Sequence, residues 1–247
     1  MLSLLLSAAL AAGGQPGTDF ETPVVEDPHP MITEVLYGVP PGDDGDAWPD
    51  GNRSPTGDEF VELSNPHRRT INLRGYTISD RNRGGTGEVS FTFPSFRLKP
   101  GEVVVVFNGN GQSFTGGRVG TAERAPQYKH DTLGCFVFTM NNDNRYAAFS
   151  NSGDWVLLSD PEDRPVHVVH WGEFDEDLPP AGVVERVDGR LPGSACRYWM
   201  GGPMVAHHHI DGEDLSPGKH PVGPSPEEAR RMAEESGALG DASDGGP

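Results

Sequence analysis

The 247 residues carry a formal net charge of −18, from 37 acidic against 19 basic side chains, and only 34% of them are apolar. A chain this acidic is repelled by phosphate backbones, whose binding needs clustered Lys and Arg, so no nucleic-acid partner is expected. Gly (33) and Pro (23) make up over a fifth of the chain, a composition close to that of disordered segments, yet the apolar residues gather in short runs that can still build a β core with long polar loops.

The first twelve residues, Met1-Leu2-Ser3-Leu4-Leu5-Leu6-Ser7-Ala8-Ala9-Leu10-Ala11-Ala12, read as a secretory signal. Their apolar run is shorter than the roughly 20 residues that span a bilayer, and Ala9-Leu10-Ala11 fits a small-x-small cleavage site. No Lys or Arg precedes the run, and no Cys follows it to carry a lipid. Residues 13–27 read as a linker. The main domain is expected over 28–221 and a disordered acidic tail over 222–247, where Glu227–Glu235 could form only a marginal short helix. No membrane span is expected in the mature chain, which is placed as secreted, periplasmic or at the cell envelope.

Met31–Tyr37 is the first strand candidate. Residues 38–58 are too rich in Gly, Pro and Asp to be regular. Glu59–Ser64 follows as a strand with Val61 and Leu63 on one face. Phe60 points the other way with Glu62 and needs cover, for which the acidic loop just before it is the nearest source. After the polar turn Pro66–Arg69 comes Ile71–Asp80, in which Tyr76 and Ile78 alternate with Thr77 and Ser79, as in a strand with one wet face. Phe91 and Phe93 alternate around Thr92. Leu98–Gly101 is a turn, and Val103–Phe107 is apolar on both faces, which marks a central, doubly covered strand. Residues 108–144 form a long insertion enclosing Cys135–Phe138. Trp155–Leu158 and Val166–Trp171 are strands, each after a turn. Strands at this spacing argue for an all-β sandwich with long loops.

Two cysteines exist, Cys135 and Cys196. In an exported chain an even pair predicts one disulfide, closing a loop of about 60 residues and worth about 4 kcal/mol in the chain-entropy model; two buried free thiols are the alternative. Neither lies in a CxxC, so zinc or redox chemistry has little support. The arginines Arg53, Arg68, Arg69, Arg74, Arg81, Arg83 and Arg97 crowd the first half and read chiefly as loop side chains solvating one end of a sandwich.

Gly57–Asn65 followed by Ile71–Asp80 resembles the opening of a lamin tail domain, and four further stretches follow in the same order. These are Phe93-Pro94 with Leu98–Val105, Asn151–Asp160, Val166–Gly172, and Glu185-Arg186 with Leu215-Ser216-Pro217-Gly218. The last pair resembles the closing motif of the family's secreted bacterial branch. The likeness covers about residues 28–221 and departs from the family in its longer 108–144 insertion and in His170, which stands where an acidic residue is often found. It implies an immunoglobulin-like β-sandwich acting as a non-catalytic attachment or interaction module. It carries over no catalytic residues.

The acidic loop around Asp46-Ala47-Trp48-Pro49-Asp50-Gly51-Asn52 is the first site candidate. Asp46, Asp50 and Gly51 match positions 1, 5 and 6 of a calcium loop, while Trp48 and Gly57 stand where Asn and the closing Glu belong. Asp58 and Glu59 can supply the missing carboxylates. Asp46, Asp50, Asn52, Asp58 and Glu59 are therefore the candidate ligands of a Ca2+ ion, against a simple solvated loop. His207-His208-His209 with Asp211 and Asp214 is the second, and would make the chain a divalent-metal hydrolase. Consecutive residues diverge, however, and no HExxH is present. Asp175-Glu176-Asp177 reads as a solvated turn. Trp48, Trp171, Tyr198 and Trp199 could form a sugar- or peptide-binding face if exposed. The function that fits best is a secreted module for an unknown protein or envelope component.

Overall fold

The computed structural model describes residues 25–81, 88–109, 117–142, 146–187, 191, 193–207, 213–225, 227, 228, 230 and 231. The expected signal over 1–12, most of the linker, and the tail from 232 lie outside the described residues.

Two sheets pack face to face, forming the expected all-β sandwich. The first has seven strands, in the order β14 (Met204–Ala206), β13 (Ala195–Arg197), β1 (Met31–Leu36), β2 (Phe60–Ser64), β7 (Val103–Phe107), β9 (Phe136–Thr139) and β8 (Val119–Gly120). The second has five, in the order β12 (Val183–Val187), β11 (Pro165–Gly172), β10 (Gly153–Ser159), β4 (Thr77–Asp80) and β5 (Ser90–Thr92). A short ribbon joins β3 (Ile71–Asn72) to β6 (Arg97–Leu98). Most pairings are antiparallel, but β7–β9, β8–β9 and β11–β12 are parallel. The 108–144 insertion is thus partly regular, because Val137 and Phe138 extend the first sheet beyond β7.

Between the sheets lies the main core, in which Phe138 meets the rings of Phe91, Phe93 and Phe96 at 5.3–5.6 Å. Truncating such a ring costs about 3–5 kcal/mol. Tyr37 stacks on Trp171 at 4.0 Å. A bulge in β1 between Ile32 and Glu34 lets Ile32 and Val35, three residues apart, both join this core. β7 is buried along its whole length, between β2 and β9, as an all-apolar run requires.

A second apolar layer covers the outer face of the seven-stranded sheet. Leu36, Phe60, Val105, Phe107 and Val137 pack there against Val39, Ala47 and Trp48 of the acidic loop. The loop before β2 is therefore the cover that Phe60 requires. Trp48 stands edge-on to Phe107 at 5.2 Å. Of the aromatics considered for a binding face, Trp48 and Trp171 are core residues, and only Tyr198 and Trp199 are half-buried.

The expected disulfide is absent. Cys135 and Cys196 are both buried and are not bridged to each other. Cys196 lies on β13 opposite Glu34, whereas Cys135 immediately precedes β9, with β1, β2 and β7 in between. Four strand spacings are about 19 Å, well beyond the ~7 Å limit for bridged Cα atoms. Burial pushes the Cys135 thiol up to about 12, so it stays protonated and unreactive.

The segment expected to be disordered begins with structure. Ser225 and Glu228 cap each other, the Ser225 amide donating to Glu228 Oε2 at 2.9 Å and the Glu228 amide to Ser225 Oγ at 3.2 Å. This is a capping box, and residues 227, 228, 230 and 231 are helical.

Candidate functional site

The acidic loop is organised around Asp58, which is fully buried. Its Oδ1 accepts the Trp48 amide at 2.8 Å and its Oδ2 the Ser54 amide. Asp46 Oδ2 accepts the Gly51 amide at 2.8 Å, and Asp50 Oδ1 the Asn52 amide at 2.8 Å. These Asx-type bonds fold an irregular segment without a ladder. Burial raises the Asp58 carboxyl to about 6, and the charges of Asp46 and Asp50 add to the rise. One carboxylate oxygen, Asp46 Oδ1, is enclosed without a hydrogen-bond partner among the described residues.

The candidate ligands therefore divide. Asp46 and Asp50 lie near enough to Asp58 for their charges to raise its carboxyl. Glu59 is turned elsewhere: its Oε2 accepts the Phe149 amide at 3.1 Å and the Asn108 side chain at 3.4 Å. Asn52 is exposed and donates its side-chain amide to Asp50 O at 3.4 Å. Among the described residues no three His, Cys, Asp or Glu side chains are placed to hold a metal ion. The loop has carboxylate chemistry that suits a hard cation but not a preformed cage.

The second candidate changes character. His208, His209 and Asp211 lie outside the described residues. His207 is fully buried. Its Nδ1 donates to Glu213 O at 2.9 Å, and its Nε2 meets Ser216 Oγ at 2.7 Å. Ser216 in turn reaches Glu34, its hydroxyl donating to Oε2 at 3.1 Å and its amide to Oε1 at 2.9 Å. Ser194 Oγ donates to Glu34 Oε1 at 2.6 Å. Glu62, opposite Glu34 on β2, accepts Thr33 Oγ1 at 2.7 Å and the Gly218 amide at 2.8 Å.

Serine, histidine and carboxylate are thus contiguous, but Ser216 and His207 are both buried. A nucleophile and base must meet a substrate in a cleft, and these are enclosed among each other, Glu34 and Glu213. The arrangement is a lock. Residues 213–219 form a strap across the outer face of the sheet, tied by two buried glutamates from β1 and β2. Burial raises both carboxyls, and burial together with the nearby Glu34 charge brings Glu62 to about 8. Gly218 sits in left-handed conformation (φ 88°), where a Cβ would fall 2.7 Å from Leu133 O and 2.8 Å from Cys135 Sγ.

A third polar cluster escaped the sequence reading. His167, Glu185 and Arg197 are buried together where β11, β12 and β13 meet. His167 Nδ1 accepts the Ile32 amide at 3.1 Å, so Nε2 carries the proton and donates to Glu185 Oε2 at 2.9 Å. The same oxygen is paired with Arg197, and Glu185 Oε1 accepts the Met204 amide at 3.3 Å. Burial would raise Glu185, but His167 and Arg197 outweigh it and hold the carboxyl below its usual value. In the sequence, His167 and Glu185 fell inside family-like stretches, Val166–Gly172 and Glu185-Arg186, and nothing singled out Arg197.

A family model described as Lamin Tail Domain matches residues 26–173, well over half of the chain. No curated protein sequence matches it significantly. The family match ends before β12, β13 and β14, which nonetheless complete the two sheets.

Proposed function

The chain belongs to the lamin tail domain family, and on that premise we propose that it is a non-catalytic, immunoglobulin-like interaction module of the family's secreted bacterial branch, serving a protein or cell-envelope partner. One observation carries this reading. The residues that could do chemistry, His207 with Ser216 and Glu34, and His167 with Glu185, are buried and used up in holding the sandwich together. The hydrolase alternative would need an open ligand position at His207, which instead bonds through both ring nitrogens. The test is turnover of ester, phosphodiester and peptide substrates by the purified chain with added zinc or manganese. A metal-dependent rate that disappears on chelation would overturn the module reading.

Export is part of the proposal and rests on residues 1–12. Fusing residues 1–27 to an alkaline phosphatase stripped of its own signal tests it, since that enzyme is active only outside the cytoplasm. No helix among the described residues is long and apolar enough to cross a membrane.

Calcium ordering of the 46–58 loop is a second element. It is supported by the enclosed, unpartnered Asp46 Oδ1 and by the repulsion that Asp46 and Asp50 exert on Asp58. Ligands would be Asp46, Asp50 and Asp58, with Asn52 at the rim and Glu59 left in its bonds to Phe149 and Asn108. A calcium-selective rise in melting temperature, lost in Asp46→Ala, is the expected result. An equal response to magnesium, or none, removes calcium from the reading and leaves the module intact.

A further inference from the structure

The outer face of the five-stranded sheet carries a row of nitrogen-bearing side chains on four adjacent strands. Trp155 on β10 is the register partner of His170 on β11, which is the partner of Arg186 on β12. Arg81 follows Asp80, the partner of Val156 on β10, and so stands beside Trp155. The connection from β11 to β12 passes over this row and sets Phe174 above it. The Phe174 ring lies 5.6 Å from the Arg81 guanidinium carbon and 6.0 Å from the His170 ring. Between the connection and the sheet is an open cleft of about 840 Å³, walled by Arg81, His170, Phe174 and Arg186.

Two features of the cleft call for an anion. First, its cations are unspent. Neither Arg81 nor Arg186 is within ion-pair distance of a carboxylate among the described residues, although the chain carries 37 acidic side chains. Second, its polar nitrogens are unsatisfied. Arg81 Nε and His170 Nδ1 in its walls, and Trp155 Nε1 on the strand between them, are enclosed and have no hydrogen-bond partner among the described residues. Arg81 Nε and Trp155 Nε1 can only donate, and His170 Nδ1 donates when it carries the ring proton; buried polar groups are rarely left so, and three side by side mark one place where acceptors belong.

The size of the charge also follows. Glu173, Asp175 and Glu176 line the cleft from the connection and would repel a dianion more than a monoanion. Arg81 and Arg186 are three strand spacings apart, about 14 Å between Cα atoms, a gap that two arginine arms reaching inward narrow to the width of a small acid. A planar carboxylate accepts from such guanidiniums by paired hydrogen bonds, and the Phe174 ring offers an apolar wall for the group that bears it. We infer that this cleft binds a single carboxylate group, held between Arg81 and Arg186 with Phe174 against its carbon skeleton. His170 reports on occupancy. Burial, with the nearby Arg186, holds it below its ordinary value, and a bound anion reverses the second effect.

The experiment is an NMR titration of the His170 ring in the full chain, with sodium galacturonate, N-acetylglycine, phosphate and chloride at matched ionic strength. The first probe is an acidic sugar and the second a peptide terminus. The expected result is a saturable upward movement of the His170 titration with at least one of the two acids, weakened about tenfold or more in Arg81→Gln and in Arg186→Gln. Arg186 is exposed, so its variant keeps the fold. Response to galacturonate alone assigns the carboxylate to a sugar, and response to N-acetylglycine alone assigns it to a chain end. No saturable movement with either acid, an equal movement with chloride, or tighter binding of phosphate than of both acids overturns the inference.

Discussion

Glu62→Gln tests the strap lock most directly. The Glu62 carboxyl is raised from 4.5 in the free side chain to about 8 in the fold, first by burial and then by Glu34. A raised carboxyl makes the native state bind more protons than the unfolded chain, so its contribution is complete below about pH 4.5 and is lost as pH climbs through about 8. The buried histidines run the other way: burial lowers His167, and lowers His220 to about 4, so they favour the fold as pH rises toward 6.5. Comparing wild type with Glu62→Gln cancels them, because both proteins carry the same histidines. Glutamine is neutral at all pH. Its oxygen can accept the Gly218 amide, and the Thr33 hydroxyl can rotate to accept from its nitrogen. Between about pH 6 and pH 8 the variant should gain about 2 kcal/mol on wild type, the value that linkage gives for a carboxyl titrating near 8. Urea melts at the two pH values measure it. In thermal melts the same change is about 4–8 °C for a domain of this size. A wild-type–variant gap that stays constant with pH would refute the reasoning, and a gap that instead moves in Glu34→Gln would put the shared proton on the other glutamate.

Gly218→Ala should release the strap, because a Cβ there meets Leu133 O and Cys135 Sγ at under 3 Å in a left-handed conformation. The expected cost is at least about 2 kcal/mol, with faster proteolysis between residues 207 and 222 as the readout. Glu185→Ala leaves Arg197 buried without its charge partner and should cost about 3–5 kcal/mol, whereas Glu185→Gln, which keeps acceptors for His167 and Met204, should cost less; denaturant melts order the two. Cys135 and Cys196 should react with a thiol reagent only after denaturation, as two thiols and without reductant. Two thiols appearing only after reduction would restore the disulfide.

The strands with strong local pattern were legible. Alternation placed Tyr76 and Ile78 inward, and the unbroken run Val103–Phe107 marked a strand covered on both faces. Phe60 could be seen to need a cover, because its face of β2 was otherwise polar. The pattern gave no sign that Glu62, which shares that face, is buried as well. The strap that covers it arrives from 156 residues away, a distance over which periodicity says nothing. The only local signal was Leu215-Ser216-Pro217-Gly218, whose glycine is needed for close approach. Strands β8 and β9 were hidden for a related reason. Their partners are parallel and non-local, so no hairpin turn announces them. The cysteine pairing failed because parity of number says nothing about which strands stand between.

The acidity of the chain reads differently once burial is known. Glu34, Asp58, Glu59, Glu62, Asp80, Asp154, Asp160 and Glu185 are buried, and each accepts at least one backbone amide. Asp58 takes Trp48 and Ser54, Asp154 takes Arg81 and Ser150, and Asp160 takes Glu162 and Arg164. Asp80 takes Val89, Glu59 takes Phe149, Glu34 takes Ser216, Glu62 takes Gly218 and Glu185 takes Met204. Most of these amides belong to loops, where no neighbouring strand can satisfy them, and a buried amide left unpaired costs about 1–3 kcal/mol. Carboxylates carried at strand ends and on strand faces do for the loops what the ladder does for the strands. A chain with only 34% apolar residues can therefore still close a sandwich with long irregular connections, because part of its acidic complement is structural. Set against that acidity, the Arg81–His170–Arg186 row gathers cations and enclosed nitrogens at one cleft, and that contrast is why the cleft is the place to look for an anionic ligand.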